Sequence, residues 1–164
     1  MKFKNLVLTL GVLMMLAFTS MAAAAPSQVN RSMTAINAAK AEIPAVCELV
    51  GYNVDGDTSI ITFKDPNTLE RYVVDVNTAT AKVQEIEVIG ATFVMGSTMV
   101  TKTPDDIEKI VLKNYPNAYE IVITQGQDGN NIYYIADFLT DKFDGELKLD
   151  PVTGAICERE LEYF

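Results

Sequence analysis

The mature part of the chain is one pattern written twice. Val74–Val88 (VDVNTATAKVQEIEV) aligns with Leu147–Leu161 (LKLDPVTGAICEREL) at an offset of 73. The alignment matches Asn77 with Asp150, Thr80 with Thr153, Ala81 with Gly154 and Val83 with Ile156, and sets Glu85 and Glu87 over Glu158 and Glu160. Upstream, an offset of 72 pairs Pro44 with Pro116, Glu48 with Glu120 and Leu49 with Ile121. The same offset sets Ala35, Ala38 and Ala39 over Ile107, Ile110 and Val111. A repeat on this scale makes each copy one supersecondary unit, before any single element is placed.

The periodicity has the same order in both copies. Met33, Ile36 and Ala39, with Ile43 just beyond, recur at helical spacing along Ser27–Glu42. Thr103-Pro104-Asp105-Asp106 supplies a cap, a first-turn proline and two acids for a second helix, whose apolar stripe is Ile107, Ile110, Val111 and Tyr115. Pro44 and Pro116 end the two helices, because proline disfavours helical geometry in the residue before it. Four strand-like runs follow in each copy: 45–54, 59–64, 70–76 and 82–89, then 118–125, 131–139, 146–149 and 155–163. Asp55-Gly56-Asp57 and Asp128-Gly129-Asn130 read as hairpin turns between the first two strands. Residues 77–81 and 150–154 carry turn chemistry between the last two.

Processing comes before folding. Lys2 and Lys4, the apolar run Leu6–Phe18 and the small residues Ala22, Ala23 and Ala24 make a signal peptide, with cleavage expected between Ala24 and Ala25. Thr9, Thr19 and Ser20 interrupt the longer stretch Leu6–Ala25 and argue against an uncleaved anchor. Cleavage leaves 22 acids against 11 bases, so a nucleic-acid partner is not expected. The chain has no histidine, which removes His-based triads and every His-containing metal site. The expected fold is α+β: two tandem units, each one helix packed on a four-stranded antiparallel meander. The signal peptide occupies 1–24, unit one 25–89, a connector 90–102 and unit two 103–164.

The helix, the hairpin, and a closing strand of the form apolar-x-[Asp/Asn]-x-x-Thr-[Gly/Ala]-x-[Val/Ile] resemble the PepSY domain across residues 28–164. Tyr115-Pro116-Asn117-Ala118 and the run Leu149–Ile156 carry the resemblance in the second copy. The first copy departs from it with Ala81 at the glycine position and the looser junction Glu42-Ile43-Pro44-Ala45. The layout is also similar to secreted β-lactamase inhibitor proteins, without a shared residue motif. The resemblance implies an extracytoplasmic, non-enzymatic protein-binding module, with a peptidase as the partner to be restrained. It transfers no catalytic residues.

The chemistry-bearing residues agree with a non-enzyme that has no cofactor and no resident metal. Asn53–Ser59 has the flavour of a calcium loop, but its glycine lies between the aspartates and position 62 is threonine, so a hairpin turn accounts for it better. Glu85 and Glu87, like Glu158, Glu160 and Glu162, alternate along strands and read as an exposed acidic edge or face. Cys47 and Cys157 are an even pair in an exported chain. A disulfide between them and two buried free thiols are both open readings, the second preferred. Alternation sets Tyr72, Val74, Val76, Ile86, Val88, Ile121, Tyr134, Leu147, Leu149 and Leu161 on core faces. The opposite face of unit two then carries Val122, Tyr133, Ile135 and Leu139, with Glu120 and Asp137 between them: a partner-binding patch, or a face packed against unit one. An envelope scaffold and a small-ligand or calcium carrier are the alternative functions.

Overall fold

The computed structural model describes residues 28–91 and 96–164. Ala24 and Ala25, with the whole processing segment, lie outside the described residues. The elements run α1 (Gln28–Ala41), β1 (Glu48–Asp55), β2 (Thr58–Lys64), β3 (Arg71–Asn77) and β4 (Val83–Ile89). They continue α2 (Pro104–Asn114), β5 (Tyr119–Asp128), β6 (Asn131–Leu139), β7 (Phe143–Leu149) and β8 (Ile156–Tyr163). The strands form one antiparallel sheet in the order β1-β2-β3-β4-β8-β7-β6-β5.

That order overturns the expected fold class. The two meanders are not separate helix-on-sheet units, because β4 pairs with β8 in register, Ile86 facing Leu161 and Val88 facing Arg159. Both last strands would otherwise be open edges, and pairing them satisfies two rows of backbone donors and acceptors at once. The core is correspondingly continuous. Val74, Val76, Ile86, Val88, Leu147, Leu149 and Leu161 belong to one buried cluster, with Ala35 and Ala39 of α1 and Ile107 and Val111 of α2. Both helices therefore lie on the same side of the sheet. Arg159 of β8 reaches Glu70, just before β3, at 3.5 Å and ties the two halves across the seam.

Local chemistry explains the elements. Thr103 caps α2 with a full capping box: its hydroxyl accepts from the Asp106 N–H, and the Asp106 carboxylate accepts from the Thr103 N–H at 3.1 Å. Three turns share one hydrogen-bond pattern, at Asp65–Glu70, Asn77–Lys82 and Asp150–Ala155. In each, the side-chain oxygen of the first residue accepts from the backbone N–H groups two and three residues on. The fifth position is left-handed in all three, at Leu69, Ala81 and Gly154. Asp65-Pro66-Asn67-Thr68 thus repeats the chemistry of Asp150-Pro151-Val152-Thr153 within the first copy. β7 begins three residues earlier than its apolar alternation suggests, since Asp144-Gly145 resembles a turn. Gly145 is instead a strand residue whose missing Cβ makes room for the Phe138 ring. Phe138 in turn packs on Tyr115 at 4.7 Å between centroids, and Phe143 on Tyr163 at 5.4 Å.

Candidate functional site

The face of the sheet away from the helices is built row by row from the strand registers. One row crosses all eight strands as Asn53, Ile60, Asp75, Glu85, Glu162, Asp144, Leu139 and Tyr119. The next runs Gly51, Thr62, Val73, Glu87, Glu160, Glu146, Asp137 and Val122. Each row places four carboxylates side by side, so the middle of this open face is an acidic array straddling the β4–β8 seam. Directly opposed residues of an antiparallel pair bring their Cβ atoms to about 4.5–5.5 Å, close enough for like charges to be destabilising. A shallow depression of about 200 Å³ is lined by Asp137, Asp144, Glu146, Glu160 and Glu162.

The electrostatics follow from that crowding. Burial raises the Glu85 carboxyl above its ordinary value, and Glu160, Asp75, Glu162 and Glu87 push it further the same way. Glu160 is likewise raised by burial and by Glu146, with Lys148 opposing. Burial alone raises Asp75. Lys148, one row further on, bridges Glu158 and Glu146. Burial lowers its ammonium pKa, but the bonds to those two acids outweigh burial and leave it raised.

Five of the six residues expected to form a patch do lie on the open face. Leu139, Asp137 and Ile135 pair with Asp144, Glu146 and Lys148 of β7, so they form a column along β6 beside the acids rather than a cluster ringed by them. Val122, 54% exposed, pairs with Asp137 from the edge strand. Tyr133 pairs with Gly126, and its ring lies over that glycine. Glu120 is the exception. It has a left-handed φ of 50° within a bulge between Tyr119 and Val122, which breaks alternation. Tyr119, opposite Leu139 and 45% exposed, takes the place that alternation gave to Glu120. No local signal marks the bulge, and only the register reveals Tyr119. The open faces of the two halves lie side by side, not against one another, because the halves join at strand edges.

The remaining candidates are resolved by position. Cys47 is buried and Cys157 half-buried, and both are free thiols. Burial pushes both thiols up, aided by Asp65 and Glu70 at Cys47 and by Asp150 at Cys157. Asp55 and Thr58 close a two-residue hairpin around Gly56, where the calcium-like spacing had stood. Among the described residues, no three acidic or cysteine side chains are arranged to hold a metal ion.

No family model matches the chain, and no curated protein matches it. Among solved structures, the chain is similar to a crystal structure of a "putative lipoprotein" from Clostridium difficile 630, at 18% identity. The match covers 78% of this chain and 90% of that one, with a TM-score of 0.32. A superposition that loose assigns no activity.

Proposed function

We propose that this chain is an exported, non-enzymatic protein-binding module of PepSY type, which presents the open face of its sheet to a basic protein or peptide. The observation that carries the reading is the acidic array. Natural sheets solvate one face with mixed polar residues, whereas here eight carboxylates fill the centre of two adjacent rows and crowd one another. A partner carrying lysine or arginine would relieve that repulsion, and the flanking apolar side chains of Tyr119, Val122 and Leu139 would supply the dry contact beside it. Export rests on the basic, apolar and small-residue segments of residues 1–25. A peptidase is the partner class implied by the PepSY resemblance.

The test is titration of the mature protein against a thermolysin-like metallopeptidase, read both as residual activity and as direct binding. The expected result is stoichiometric inhibition that weakens with added salt. It should be lost when Glu87, Glu146 and Glu160 are changed together to glutamine. Binding that survives this change would remove the acidic face from the interface. Absence of both binding and inhibition would remove the peptidase reading.

A further inference from the structure

The sheet does not close, so β1 and β5 are both edges, and the two edges are finished differently. Aligning the copies on their hairpins, Asp55-Gly56 with Asp128-Gly129, places Tyr52 over Gln125 and Val54 over Gln127. Those positions sit on the helix side of each edge, facing Ile61 and Ser59 in one copy and Tyr134 and Ile132 in the other. β5 is thus polar where β1 is apolar. Along β1, Leu49 is 45% exposed, Val50 58%, Tyr52 38% and Val54 41%. α1 packs over β2 and β3, and leaves these side chains uncovered. Among the described residues, nothing pairs with the outer edge of β1.

Edges of native sheets are ordinarily blunted by charged side chains, proline, a β-bulge or a covering element. β1 has neither lysine nor proline; a bulge at Val50 interrupts its pairing between Leu49 and Gly51, and its only charges are Glu48, which faces Lys64 of β2, and Asp55, with Asp57 in the turn beyond. Tyr52 is also held in place, its hydroxyl lying 3.2 Å from the Ser59 hydroxyl. A second copy of this chain would bring a second strongly acidic molecule, with its own Glu48 and Asp55, to the same edge. The complementary guest is of the opposite charge.

We propose that β1 is a strand-addition site, which takes as a ninth strand an extended partner segment alternating apolar with basic residues. The apolar side chains would lie beside Leu49, Tyr52 and Val54. The basic ones would project on the open face toward Glu48 and Asp55, while the backbone pairs with the free edge. This surface lies at one margin of the sheet, three strands from the acidic seam, and does not depend on the open-face reading.

The probe is a short blocked peptide alternating lysine and valine, added to the mature wild-type protein. Binding is followed by calorimetry, and amide hydrogen exchange is followed along Glu48–Asp55. The expected result is saturable binding with slowed exchange confined to β1. A peptide N-methylated on the pairing face should bind at least tenfold more weakly, and Tyr52→Gln/Val54→Gln, which installs the residues of the second copy, should also weaken binding at least tenfold. The proposal is overturned by failure to bind, by equal binding of the N-methylated peptide, or by protection on β4 and β8 instead. Light scattering showing a dimer with β1 protected in the absence of peptide would also overturn it, in favour of a second copy. The triple glutamine variant at Glu87, Glu146 and Glu160 should keep this binding, which separates it from the peptidase test.

Discussion

Glu85 of β4 faces Glu162 of β8 across the strand pair that joins the two halves of the molecule, with Glu87 facing Glu160 one row along. The seam is held by apolar pairing of Ile86 with Leu161 on the other side of the sheet. Its solvent side works against it. Like charges directly opposite one another across a strand pair are destabilising.

The first prediction is a pH dependence. Glu85, Glu160 and Asp75 have folded pKa values raised above their ordinary 4.5, 4.5 and 3.8. The folded state therefore binds protons more tightly than the unfolded chain in the interval just above those values. Their contribution to stability is present below that interval and is lost as pH rises through it. Asp106 and Asp150 are shifted the other way. Hydrogen bonds from Thr103 lower Asp106, while those from Thr153 and Val152 lower Asp150 against burial, so their contribution is lost as pH falls below 3.8. Thermal melts should show maximal stability in the mildly acid range, with decline on both sides. Glu85→Gln/Glu160→Gln should raise the neutral-pH Tm and flatten the neutral limb. A Tm that falls steadily from pH 7 downward would contradict this.

The ion pair between Glu70 and Arg159 joins the halves on the helix side, and both side chains are less than a third exposed. A double-mutant cycle with Glu70→Gln and Arg159→Met, followed by urea denaturation, should give a coupling of about 0.5–1 kcal/mol. The unfolding transition should stay single, because the core runs through the seam. Two separate transitions would mean that the halves unfold independently.

Turn chemistry gives opposite outcomes at equivalent positions. Ala81 holds φ 56° without glycine, and Gly154 holds φ 74°. Ala81→Gly should be neutral or stabilising by up to about 1 kcal/mol, since relief of left-handed strain exceeds the entropy that glycine adds to the unfolded chain. Gly154→Ala should destabilise by about 1–2 kcal/mol, chiefly through left-handed strain at φ 74°, with the tips of the Ile110 and Lys102 side chains moving aside from the new Cβ. Chemical denaturation of both variants checks the pair.

Binding at the open face is best probed away from Tyr133. Because the Tyr133 ring covers Gly126, Tyr133→Ala should itself cost about 1 kcal/mol of stability. Val122 is 54% exposed. Val122→Ser should leave the Tm within about 1 °C, while weakening open-face partner binding by about 1 kcal/mol. Equal affinity of Val122→Ser and wild type would place the apolar column outside the interface.

Local geometry was legible in the order of the residues alone. The Thr103 cap, Pro44 and Pro116, the Asp-Gly hairpins and the alternation of Tyr72, Val74 and Val76 act within a few residues, and their geometry follows from the chain's own dihedrals. Alternation also set Val74, Ile86, Tyr134 and Leu147 on the helix side correctly, but bulges shift its phase in β1, in the β3–β4 and β7–β8 pairings and at Glu120. The meander order within each half was also legible, whereas the joining of the halves into one sheet through β4 and β8 appears only in three dimensions. Glu85, Glu87, Glu158, Glu160 and Glu162 read as an exposed acidic edge or face; they lie on the face, on the two central strands, and among the described residues the edges are β1 and β5. Ladder hydrogen bonds are made by backbone groups that every non-proline residue carries, so pairing of β4 with β8 across more than sixty residues leaves no mark in the side-chain pattern of either strand.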